Sequence, residues 1–134
     1  MAMAEGRVVQ VWRWPVKSMG GERVRSIRVD PRGAGGDRSH AVLHEHKGAW
    51  KPLTAREAPR LLAWHAAYPS APNGAVDPER PPYAVVTAPD GRRSFAWDDP
   101  RLPGALTDDL GRDVRLRRDV AGIQDLEQSL LLTT

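Results

Sequence analysis

The chain has no cysteine, a single phenylalanine and two tyrosines. It also has no apolar run near the ~18 residues that a membrane-spanning helix needs. The first absence excludes disulfides, thiolate metal sites and cysteine nucleophiles within these 134 residues. The opening "MAMAEGR" lacks the apolar core of a signal peptide, so a cytoplasmic location is expected. Lysine is scarce too: Lys17, Lys47 and Lys51 are the only three of the 20 basic residues that are not arginine. A GC-rich coding sequence produces the same bias without any selected function, so charge matters here through its distribution.

That distribution is uneven. Residues 1–67 hold 12 Lys/Arg against 6 Asp/Glu, a balance of +6, and residues 68–134 hold 8 against 11, a balance of −3; together they give the net +3. The N-terminal half therefore attracts anions, phosphate included.

Twelve glycines and twelve prolines cut the chain into short segments. One mostly-β domain is expected, a small β-barrel with one or two short helices. Residues 8–14 read as a first strand, with Val9, Val11 and Arg13 on one face and Val8, Gln10, Trp12 and Trp14 on the other. Residues 22–30 read as a second strand, and the out-of-phase Val24 and Ile27 predict a bulge in it. After the turn "DPRGAGGD" come strands at 39–45 and 49–53, joined by "HKG" as a hairpin. "LTAREAPRL" has a capping-box pattern at Thr54 and Glu57, but Pro59 limits it to a single helical turn. Residues 62–68 alternate, with Leu62, Trp64, Ala66 and Tyr68 on one face; "PSAPNGAVDPERPP" is a surface loop. "YAVVTAPDGRRSFAW" is a hairpin about Pro-Asp-Gly, and residues 106–110 form a short helix that ends at Gly111 and feeds "DVRLRR" as a strand.

Three stretches carry candidate chemistry; in one of them, "TAREAPRL" with Arg56 and Arg60, the capping box already favours a structural reading. In "WPVKSMGG", Pro15 stiffens the strand exit, Lys17 supplies a charge and Ser18 a hydroxyl. Gly20 and Gly21 permit positive φ and convergent amide groups. A plain hairpin turn and an anion-binding corner both explain this stretch. In "GGDRSHAV", Asp37 is placed to hold Arg38 and leave its guanidinium for a phosphate or carboxylate, or the two form an ordinary surface ion pair. His40, His44 and His46 fall at even offsets, a spacing open to zinc but equally to ordinary polar strand residues, and no metal site is expected. The pairs Asp98-Asp99 and Asp108-Asp109 read as loop or helix N-terminal charges.

Taken in order, "VVQVWRWPVKSMGGERV", "GGDRSHAVLHEHKGAW" and "LTAREAPRL" resemble the N-terminal β-barrel domain of the MOSC (molybdenum cofactor sulfurase C-terminal) superfamily. The pattern is similar to that of the mitochondrial amidoxime-reducing component and its bacterial homologues. The resemblance is strong over residues 7–68 and looser in "LGRDVRLRRD" and the closing "LLLTT". It implies a β-barrel domain over 1–128, with 129–134 as the first strand of a truncated or absent MOSC module. It also implies part of a binding site for a molybdopterin-type molybdenum cofactor, with Lys17, Ser18 and Arg38 as its contacts and no catalytic residue in this chain. In such proteins a cysteine of the following module ligates molybdenum; here there is none, so redox chemistry is expected from a missing C-terminal module. The expected partners are the anionic cofactor, and a C-terminal MOSC module or a second copy of the chain; no membrane is expected. A single-stranded nucleic-acid-binding or protein-interaction module without catalysis is the alternative. Nucleic acid ranks lower because Trp12, Trp14 and Trp64 alternate as core or barrel-wall residues do.

Overall fold

A computed structural model describes residues 5–31, 33–69, 76–77 and 79–119. The expected loop at 69–82 falls partly, and the closing "LLLTT" wholly, outside them. Among the described residues the protein is mostly β. Its strands are β1 (Val11–Arg13), β2 (Glu22–Val24), β3 (Val29–Asp30), β4 (Gly33–Ala34), β5 (His40–His46), β6 (Ala49–Pro52), β7 (His65–Ala67), β8 (Val85–Thr87), β9 (Ser94–Ala96) and β10 (Val114–Arg118). A 3₁₀ turn at Pro59–Ala63 and helix α1 (Leu102–Leu110) complete it.

The strands form four small antiparallel sheets, β1-β2, β10-β5-β6, β3-β4 and β7-β8-β9. Two parallel bridges stitch these sheets together, Val16 to His40 and Gly20 to His65. No ladder closes into a barrel among the described residues. Trp64, Leu53, Leu61, Val42, Val86, Leu102 and Leu106 are buried together between the sheets and α1.

Local chemistry explains the hairpins. Lys47 and Gly48 both have positive φ, 52° and 79°, between the paired His46 and Ala49. That is the two-residue turn whose twist matches antiparallel strands, and glycine supplies its second residue without strain. The Pro-Asp-Gly hairpin between β8 and β9 forms as expected, with Asp90 accepting from the amides of Arg92 and Arg93.

Several expectations shift. The second strand does not bulge but breaks: β2 pairs with β1 and β3 with β4, so Val24 and Ile27 need not share a phase. Thr54 bonds the Glu57 carboxylate at 3.0 Å, and the helical turn starts at Pro59, where a missing N–H costs nothing. Leu62 is exposed, whereas Trp64, Ala66 and Tyr68 are buried on one face as their alternation predicts. α1 begins at Leu102 rather than at 106, because Pro103 fits a first helical turn and Asp99 receives the Arg101 amide. It ends at Gly111 with φ 70°, whose N–H reaches the Thr107 carbonyl.

The largest correction concerns β1. Trp12 and Trp14 are 44% and 40% exposed, while Arg13 between them is 2% exposed. Two of the three tryptophans expected in the core or barrel wall thus face outward, and the charged residue faces in.

Candidate functional site

The segment carrying Lys17 and Ser18 lies against the segment carrying Arg38. The Lys17 amide donates to the His40 carbonyl at 2.9 Å, the His40 amide to Pro15 at 3.1 Å and the Arg38 amide to Trp14. Asp37 fastens the crossing: its Oδ1 accepts the Trp14 amide at 2.8 Å, and its Oδ2 accepts Arg38 Nε at 2.7 Å. Asp37 is buried and the Arg38 side chain is 24% exposed, so one edge of the guanidinium is pinned while the group still reaches solvent. Ser18 and Arg38 themselves have positive φ, 67° and 48°, which kinks both segments at the crossing.

The glycines serve a different purpose from the one their sequence suggests. Neither Gly20 nor Gly21 has positive φ. The Gly20 amide donates to Trp64 at 2.7 Å and its carbonyl accepts from Ala66 at 2.9 Å, so this residue is a rung beside β7. The amides of Lys17 and Met19 are likewise bonded within the protein. With these three amides engaged, convergent backbone amides do not form an anion nest here.

Close packing is what the glycines allow. A Cβ on Gly21 would stand 2.5 Å from the Arg13 carbonyl and 2.7 Å from the Trp14 ring. One on Gly20 would meet the imidazole of the exposed His65 at 2.2 Å. Gly21→Ala is expected to destabilise the fold by about 1–3 kcal/mol, since backbone must move. Gly20→Ala should do less, because His65 can swing outward. Urea unfolding of both variants checks the order, and equal losses would contradict it.

Beneath the corner runs a buried polar network that the sequence reading did not contain. Arg13 Nε donates to Glu22 Oε1 at 2.9 Å, Arg13 pairs with that oxygen through a second nitrogen, and its guanidinium lies 4.8 Å from the Tyr68 ring centre. Glu22 Oε2 accepts the Tyr68 amide at 3.1 Å. The Tyr68 hydroxyl donates to the Gly36 carbonyl at 2.6 Å and meets Ser39 Oγ at 2.8 Å; Ser39 Oγ meets His40 Nδ1 at 2.9 Å. At the far side the Ala84 amide donates to His40 Nε2 at 3.3 Å.

These contacts fix the protons. With Nε2 an acceptor, neutral His40 carries its hydrogen on Nδ1 and gives it to Ser39, Ser39 gives its own to Tyr68, and Tyr68 to Gly36. Burial, then the nearby Arg118, holds the His40 pKa down to about 4, so the neutral form persists. Burial likewise pushes the Tyr68 hydroxyl up to about 12 against the opposing Ser39 bond, keeping it a donor. The signal available in the sequence was Arg13 alone, flanked by two tryptophans and opposite Glu22 in a hairpin.

The remaining candidates are structural. Both nitrogens of His40 are engaged, and His44 Nε2 lies 3.0 Å from Glu57 Oε2. No group of three potential ligands gathers among the described residues. Asp109 is not a helix N-terminal charge: it sits near the end of α1 and bonds Arg60 at 2.8 Å and Trp64 Nε1 at 2.8 Å. Burial raises the Asp109 pKa, but those bonds outweigh it and leave the carboxyl below its usual range.

A β-rich module with a charged corner between two crossed segments is the class of protein this geometry defines. The family model described as MOSC N-terminal beta barrel domain matches residues 5–94, about two-thirds of the chain, and the chain belongs to that family. No curated protein and no solved structure matches it. No helix among the described residues is long and apolar enough to cross a membrane.

Proposed function

We propose that this domain supplies the phosphate- and pterin-binding part of a molybdenum-cofactor site, gripped by Lys17, Ser18 and Arg38. One observation carries the reading: the two cations, remote in sequence, lie on backbone segments that hydrogen-bond to one another. Ammonium, guanidinium and hydroxyl are donors suited to an anionic phosphate arm and not ligands for a soft metal. Lys17 contributes a point charge, Arg38 a planar fork oriented by Asp37, and Ser18 a hydroxyl that adapts to either polarity. The bound cofactor would supply redox chemistry, and the thiolate for its metal would come from a C-terminal MOSC module outside this chain.

A partial site must bind weakly. Three charge-assisted contacts contribute about 5–9 kcal/mol in all, and association removes at least about 4 kcal/mol. The surplus, at most about 5 kcal/mol, corresponds to an affinity of a few tenths of a millimolar at best. Titrating a phosphorylated pterin into ¹⁵N-labelled protein should therefore move the Arg38 Nε–Hε and Lys17 signals only at high concentration, and Lys17→Ala or Arg38→Ala should abolish the shifts. Tight saturable binding that survives both substitutions is the result that overturns the reading.

A further inference from the structure

We propose that the outer face of the β1-β2 hairpin, continued by Trp14 at the edge of the Lys17, Ser18 and Arg38 corner, is a binding surface for single-stranded nucleic acid. Two tryptophans nearly half exposed on one short hairpin are an unusual expense of apolar surface in a chain with five. Trp12 stands opposite Arg23 in the ladder, so an aromatic face and a guanidinium are cross-strand neighbours. Beside them a groove of about 540 Å³ runs between residues 8–11 and 23–25, with Val8 and Val9 on one wall and Arg23 and Arg25 on the other.

Charge selects the occupant. Every exposed charged residue between positions 6 and 29 is an arginine: Arg7, Arg23, Arg25 and Arg28. Glu22, the one carboxylate in that stretch, is engaged by Arg13 and the Tyr68 amide. A purely apolar partner would leave the groove-lining Arg23 and Arg25 facing it unpaired. A flexible polyanion that also presents flat π-surfaces satisfies both halves of the face: bases stack on Trp12 and Trp14, and phosphates pair with the arginines. A duplex keeps its bases stacked on one another and cannot use the tryptophans in this way. The indole of Trp12 is steadied by its N–H bond to Gln10 at 3.0 Å, and Trp14 packs over Gly21, so both rings are held for stacking.

The test uses the whole chain and a twelve-residue oligothymidylate, followed by tryptophan fluorescence at several salt concentrations. Binding should be saturable and quench emission, and log K should fall linearly with log salt by about 0.7 per phosphate neutralised. Trp12→Ala should weaken binding roughly 5- to 150-fold, the range for one lost base stack, while Trp12→Phe should restore much of it. Arg23→Gln together with Arg25→Gln should flatten the salt slope by about 1.4, two phosphates' worth. Because these side chains are exposed, circular dichroism and melting of the variants should match the parent. Failure to bind at low salt overturns the proposal, as does binding indifferent to Trp12→Ala. So does equal affinity for a duplex of the same length, or for polyglutamate, which would make the face a docking site for acidic protein.

Discussion

Arg13→Ala is expected to lower folding stability by about 3 kcal/mol. Arg13 is 2% exposed and its partner Glu22 has 15% of its side chain exposed. Removing the guanidinium strands a mostly buried carboxylate whose other oxygen is committed to the Tyr68 amide. Glu22 keeps some contact with water, which places the loss at the lower end of the range for broken buried pairs. The arginine stem and its contact with the Tyr68 ring go as well, so packing is lost together with charge. Arg13→Met with Glu22→Leu, which removes both charges and keeps the volume, should recover much of the loss. Urea midpoints with unchanged slopes measure this. A shift within about 0.5 kcal/mol, the size typical of surface substitutions, would show that the pair does not support the fold.

Acid should destabilise the protein through His40 as the pH falls below 6.5. In the folded state the ring is neutral with a pKa near 4, against 6.5 for an ordinary histidine. Above pH 6.5 both states hold it neutral and its contribution is present in full. As the pH falls from 6.5 towards 4 the unfolded chain takes up a proton that the folded chain refuses, and stability declines by about 3 kcal/mol over that window. Below pH 4 this group contributes no further loss. The shifted acids Glu57, Asp90, Asp99 and Asp109 lie below their usual values of 4.5 and 3.8, so their losses begin only at the acid end of this window and continue below it. Burial, then the charge of Arg118, is the reason for the refusal, and protonation also turns Nε2 from acceptor to donor facing the Ala84 amide. Unfolding free energies measured between pH 7 and 4 should show this slope, and His40→Gln, which keeps an acceptor, should flatten it. A stability independent of pH across that window in the parent would contradict the assignment.

Much of the fold was legible because its determinants are local. Lys47-Gly48 and Pro89-Asp90-Gly91 specify their turns within four residues, and Gly111 specifies a helix end by its own φ. Alternation placed Trp64, Ala66 and Tyr68 correctly because β7 is an ordinary strand with one buried face. The same rule misplaced Trp12 and Trp14. Alternation says which residues share a face but not which face is covered, and here the covered face is the one with Arg13. At the corner, the segments that carry Lys17 and Arg38 lie side by side, whereas the glycines misled: Gly20 and Gly21 have the composition of an anion nest and the geometry of a packing contact.

The sequence by itself determined the turns, the helix stop, the mostly-β character, the family and the concentration of positive charge in the first half. Each of these depends on neighbours a few residues apart, or on a pattern that survives without coordinates. Only the tertiary structure decided that Arg13 is buried, that His40 is neutral with its proton on Nδ1, and that Trp12 faces water. Those outcomes depend on Glu22, Tyr68 and Ala84, which lie 9 to 55 residues from Arg13 and His40 in the chain and meet them only when the sheets pack.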